Sequence, residues 1–104
     1  MVLTEQDSGC TVNINIGEVF IIQLKENPTT GYRWMVETIN GVKQIEDQFI
    51  LLENAVGGAG IRILQFCALN IGSHELHIKE WQEWSGEASV IQRFQIKIIV
   101  ERNI

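Results

Sequence analysis

Glu80 and Glu83, three positions apart, invite reading as a glycosidase-type carboxylate pair, one acid protonating a leaving group while the other acts as base or nucleophile. They fall at a strand end, where acids are ordinarily solvated, and no substrate-sized apolar pocket is implied around them. His74 and His77 fall on opposite sides of an alternating segment, which is poor geometry for one metal ion, so surface or edge histidines are expected. Cys10 and Cys67 are too few for a disulfide framework and lack metal-ligand spacing; free thiols, buried or half-buried, are expected. Thr29 and Thr30 carry hydroxyls but have no base near them in sequence, so neither reads as an activated nucleophile. The chain therefore does not read as an enzyme, and neither a metal nor a cofactor is expected.

Recognition is the chemistry that remains, and the segment Asn27-Pro28-Thr29-Thr30-Gly31-Tyr32, with Trp34 just beyond, is suited to it. Pro28, the only proline, fixes φ at about −65° and pushes Asn27 into an extended conformation. Gly31 can take a positive φ, which suits a sharp exit into the next strand. Two small hydroxyl residues occupy the tip. A stiff, narrow, polar projection results, and such a loop loses little entropy on entering a cleft. Trp34 alternates with Tyr32 and Val36 and reads as core. Trp81 and Trp84 are three apart near a strand end, so at least one is expected to be exposed. A contact role follows, with sugar stacking on the pair as the alternative.

The elements that must position these residues alternate with period 2. Val12, Ile14 and Ile16 alternate with polar neighbours up to a turn at Gly17-Glu18, and Phe20, Ile22 and Leu24 then lead into the proline loop. A short strand is expected over 48–53, after an Asn40-Gly41 turn. Leu64, Phe66 and Ala68 share a face, Leu76 and Ile78 point inward after a turn over 70–73, and the strand they lie on ends near Glu80-Trp81. In the last strand Phe94, Ile96, Ile98 and Val100 face in, while Arg93, Gln95, Lys97 and Glu101 face out. Roughly seven to eight short strands with turns every ~8–12 residues predict an all-β, immunoglobulin-like antiparallel β-sandwich, one domain over residues 1–104. Alternate loops of a sandwich emerge at one end, so the glycine-rich segment 54–60 and the segment Gln82-Glu83-Trp84-Ser85-Gly86 should gather beside the proline loop.

Composition narrows the partners. The formal charge of −5, with lysines and arginines scattered, argues against nucleic acid, which needs a basic stripe. No apolar run approaches the ~20 residues that span a bilayer. The first seven residues have neither a basic n-region nor an apolar h-region, so the chain reads as cytoplasmic as written. A lysosomal, vesicular or secreted location is expected instead if a signal segment was removed. A monomer is the default.

On these residues the chain resembles the chagasin family, protein inhibitors of papain-like cysteine peptidases. Three loop motifs define that family: Asn-Pro-Thr-Thr-Gly followed by an aromatic residue, Gly-x-Gly-Gly, and Arg-Pro-aromatic. Asn27 to Tyr32 match the first in full, with Trp34 at the family's position. Gly57-Gly58-Ala59-Gly60 match the second loosely, Ala59 standing for a glycine, and Gln82-Glu83-Trp84 keep only the tryptophan of the third.

The resemblance implies an immunoglobulin-like sandwich whose three loops wedge into a peptidase cleft. Thr29 would sit over the catalytic cysteine and histidine, offering hydrogen bonds from backbone and hydroxyl, with Thr30 alongside. Residues 57–60 would run along the non-primed side as an extended strand, and Trp84 would stack on the primed side. Glu83 in place of proline would make the third loop more mobile. A carbohydrate-binding sandwich using Trp81 and Trp84 is the rival from another class, and an enzyme using Glu80 and Glu83 a third reading.

Overall fold

Alternating apolar and polar residues build eight strands: β1 (Val2–Leu3), β2 (Thr11–Asn15), β3 (Val19–Glu26), β4 (Arg33–Ile39), β5 (Val42–Leu51), β6 (Gly60–Ala68), β7 (Gly72–Trp81) and β8 (Gln92–Glu101). They come from a computed structural model that describes residues 1–52 and 58–102. Two four-stranded sheets face one another, in the orders β1-β3-β6-β5 and β2-β8-β7-β4. The expected β-sandwich is present. Its sheets are mixed, because β1 runs parallel to β3 and β2 parallel to β8. Neither pair is joined by a hairpin, the connection that imposes antiparallel pairing; the chain crosses between the sheets after β1 and again after β2.

The inward faces supply one core. Phe20, Ile22 and Leu24 of β3 pack with Leu64, Phe66 and Ala68 of β6, and Leu76 and Ile78 of β7 with Phe94, Ile96, Ile98 and Val100 of β8; all are buried. The Phe20 and Phe66 rings stack with centroids 5.3 Å apart. Complete burial of such a side chain is worth about 1.5–3 kcal/mol, which is why the period-2 pattern sets the register. Trp34 is core as expected, and Arg93, Gln95, Lys97 and Glu101 face solvent.

Two strand expectations need correction. Ile16 lies beyond the end of β2 and is 38% exposed, because the turn begins before its side chain can reach the core. The strand expected over 48–53 starts six residues earlier, at Val42. A bulge between Gln44 and Glu46 breaks its alternation, and β5 is an edge strand whose polar side chains face solvent on much of their surface.

The loops sort by end as the topology requires. Segments 16–18, 40–41 and 69–71 turn at one end, while 27–32, 82–91 and the described residues 52 and 58–59 lie at the other. The proline loop crosses from one sheet to the other, since β3 and β4 belong to different sheets.

Candidate binding edge

Local chemistry shapes the proline loop. Asn27 is extended (φ −123°, ψ 98°), as the following proline demands, and caps a single 3-10 turn over Pro28–Thr30. Its side-chain oxygen accepts from the Thr29 amide at 3.1 Å and from the Thr29 hydroxyl at 2.6 Å. Its carbonyl accepts from the Thr30 hydroxyl at 2.8 Å and the Thr30 amide at 3.2 Å. The Gly31 amide donates to Pro28, and Gly31 leaves the turn at φ +82°. Asn27 is thus the hub of the loop, and both donors of Thr29 point back to it.

Beneath the loop lies an ion network that the period-2 reading did not single out. Glu26 ends β3 on its inward side and is only 3% exposed. Its carboxylate accepts from the Trp34 amide at 2.6 Å and, through Arg62, from Nη2 at 2.6 Å and Nε at 3.1 Å. Arg62 Nη1 donates to Asp47 at 3.0 Å. The Trp34 indole donates to the Lys25 carbonyl at 2.8 Å. Burial works against the Arg62 charge, but its hydrogen bonds to Glu26 and Asp47 prevail and raise its pKa. Strands from both sheets are therefore tied together directly under the tip. The available signal was parity: position 26 continues Phe20, Ile22 and Leu24, and an acid placed inward demands a cation.

The third loop stands against the first. Gln82 Nε2 donates to the Thr30 carbonyl at 3.2 Å, and the rim of the Trp84 ring lies where a Gly31 Cβ would project. Trp84 is 73% exposed. Two successive 3-10 turns, Glu83–Ser85 and Glu87–Ser89, shape this loop, with Glu83 at the first position of the first turn. The Ser89 hydroxyl accepts from the Gln82 amide at 2.9 Å and donates to the Gly86 carbonyl at 2.6 Å. Glu87 bridges Lys79 (2.9 Å) and Arg93 (2.5 Å), and Arg93 reaches Glu37 on β4. Hydrogen bonds from Lys79 and then Arg93 hold the Glu87 carboxyl below its usual range. Side chains here do the fixing that a proline would do through φ.

The second loop closes on the other side of the tip. A Cβ on Gly58, which has φ +78°, would come within 2.7 Å of Thr29 Cγ2. Ala59 accepts from the Leu52 amide at 3.2 Å. Gly60 is already in β6, buried and paired with both Glu26 and Leu51. Gly57 lies outside the described residues. Of the extended run expected over these glycines, Gly58 lies instead in a turn with positive φ, whereas Gly60 is extended as the first ladder position of β6.

Gly31→Ala should cost about 1 kcal/mol of stability, from the positive φ alone, because the exposed Trp84 ring can swing aside. The displaced ring should shift tryptophan fluorescence without any change in the far-ultraviolet dichroism of the sheets. An unchanged fluorescence spectrum would contradict the packing of these two loops.

Other residues scatter. Cys10 is exposed rather than buried, because it precedes β2 in a surface turn; Cys67 is half-buried, and both are free thiols. His74 contacts the Asn70 carbonyl and His77 the Glu75 carboxylate, so the two do not converge. Glu80, expected on a solvated face, is buried, because it continues the inward parity of Leu76 and Ile78. Trp81 is half-buried, with the Lys79 ammonium 3.8 Å from its ring centroid.

The family model described as chagasin family peptidase inhibitor I42 matches residues 13–98. Chagasin of Trypanosoma cruzi is 26% identical over 103 residues, covering 90% of this chain and 92% of its own length. The crystal structure of EhICP2, a cysteine protease inhibitor from Entamoeba histolytica, superposes with a TM-score of 0.86 at 23% identity, over 96% of this chain and 94% of that one. The structure of PbICP-C, solved in complex with falcipain-2, aligns with a TM-score of 0.64 at 18% identity, over 97% and 90% of the two chains.

Proposed function

The chain belongs to the chagasin family of peptidase inhibitors, and we propose that it blocks papain-family cysteine peptidases reversibly by filling their active-site cleft with three adjacent loops. The observation that carries this reading is the contiguity of the loops. Thr29 is flanked by Gly58, Gly31 by Trp84, and Thr30 is bonded to Gln82, so residues 27–31, 58–59 and 82–84 form one wedge with the proline turn in its middle. Such an edge is preorganised, and the ordering cost of binding falls accordingly.

Catalysis by a thiolate–imidazolium pair needs a peptide carbonyl held in line for attack. Pro28–Thr30 form a closed turn locked by Asn27 and do not offer the extended backbone of a substrate. A turn seated over the catalytic cysteine would fill the cleft and stay uncut. Trp84, the large exposed aromatic of the wedge, supplies apolar contact to one side.

Titration of papain at nanomolar concentration, followed with a fluorogenic peptide, tests the proposal. Loss of activity in proportion to added protein is expected; full activity at micromolar protein would overturn it. The sugar-stacking alternative loses the Trp81 half of its paired platform, since Lys79 covers that ring, and only Trp84 stays exposed.

A further inference from the structure

A hollow opens between the first and second loops. Among the described residues its lining includes the apolar Leu52, Ala59 and Ile61 together with Lys25, Glu26 and Glu80. The two acids differ sharply. Glu26 is saturated by Arg62 and the Trp34 amide. Glu80 is 9% exposed, and no hydrogen bond or ion pair reaches its carboxyl from the described residues.

No counterion for Glu80 is found among the described residues. Glu26 on β3 and Glu5 ahead of β2 repel its charge; Arg62 on β6 is committed to Glu26 and Asp47; Lys25 makes no ion pair among the described residues. Its ladder partners are uncharged, Trp34 on β4 and Gln92 on β8. Burial first, then Glu26 and Glu5, hold the Glu80 carboxyl above its usual range. An unpaired inward acid is a cost to the free fold, and natural sequences rarely carry one without a partner.

We propose that this hollow is a specificity pocket in which Glu80 receives a lysine or arginine side chain from the rim of the bound peptidase. The inference rests on the inhibitor reading. A long alkyl stem suits the apolar lining, and its cationic end suits Glu80, the acid of this hollow without a partner among the described residues. An apolar side chain would instead seal an ionised carboxyl away from water. The pocket is continuous with the wedge, since Asn27 and Ala59 border both.

The experiment compares wild type, Glu80→Gln and Glu80→Met as inhibitors of a panel of papain-family peptidases, with unfolding midpoints of the free proteins as a companion. Against the peptidase bound most tightly by wild type, both variants should raise the inhibition constant about tenfold at pH 7.5, as loss of an interfacial charge pair does. The gap should narrow as the pH falls, because the raised pKa lets Glu80 of the free protein take up its proton earlier than an ordinary carboxyl. Because the folded-state pKa is raised, the stability contribution of Glu80 is full below the ordinary carboxylate range and is lost as the pH rises through the folded value. The free variants should therefore gain on wild type in stability with increasing pH. Glu80→Met carries no polar group to bury, so it serves if the glutamine variant folds poorly. Equal or lower inhibition constants for the variants on every peptidase that wild type inhibits would overturn the pocket and leave the inhibitor intact. A wild type that inhibits none would overturn both.

Discussion

Replacing Arg62 by alanine is expected to remove about 3–5 kcal/mol of stability, the cost of stranding a buried carboxylate. The Arg62 side chain is 16% exposed and Glu26 has no exposed side-chain surface, so water cannot replace the lost guanidinium without opening the sandwich. Domains of this size hold about 5–15 kcal/mol in total, so the loss would be visible as a large fall in the urea midpoint. Asp47→Asn supplies the control. That carboxylate is 44% exposed, and its removal should cost less than about 1 kcal/mol. Similar midpoints for the two variants would show that the network under the proline loop is decorative. The consequence for function follows from the Trp34 amide, which shares Glu26 with Arg62: loss of the arginine frees the carboxylate to move and loosens the strand that leaves the tip.

Thr29→Asp is expected to raise the inhibition constant for papain at least about a hundredfold, because a new carboxylate would be desolvated against the peptidase's catalytic pair. The change also damages the loop itself. Asn27 Oδ1 now accepts from the Thr29 hydroxyl at 2.6 Å, and an aspartate there would face it with an acceptor. Thr29→Ser, which retains the donor, should stay within about threefold of wild type. Trp84→Ala removes a large but exposed ring and should cost about ten- to thirtyfold, in the range of an interface aromatic. Stability should hardly respond to Thr29→Asp, since the loop is exposed, so unfolding curves separate lost binding from lost fold. A greater loss from Trp84→Ala than from Thr29→Asp would move the centre of the interface to the third loop.

The proline loop was legible because its determinants are local. Pro28 constrains its own φ and the residue before it, Gly31 permits the exit, and the Asn27 side chain reaches only two or three residues along. The strands were legible for the same reason: Phe20, Ile22 and Leu24, or Phe94, Ile96 and Ile98, declare their faces through neighbours two positions away. The edge strand β5 was partly hidden because a bulge at Ile45 interrupts that period. The parity of Glu26 and Glu80 was equally visible, but parity does not reveal whether an inward acid meets a cation.

Order along the chain, the stiffness of the tip and the division of strands into inner and outer faces were thus written in the amino acids, since each depends on torsions and contacts within a few residues. Which acid is paired and which is left over was decided by the packed fold. Arg62 meets Glu26 across 36 positions of chain, and Trp84 meets Gly31 only because alternate connections emerge together at one end. Contacts of that range form only when the sheets stack, and no local pattern of residues encodes their distance.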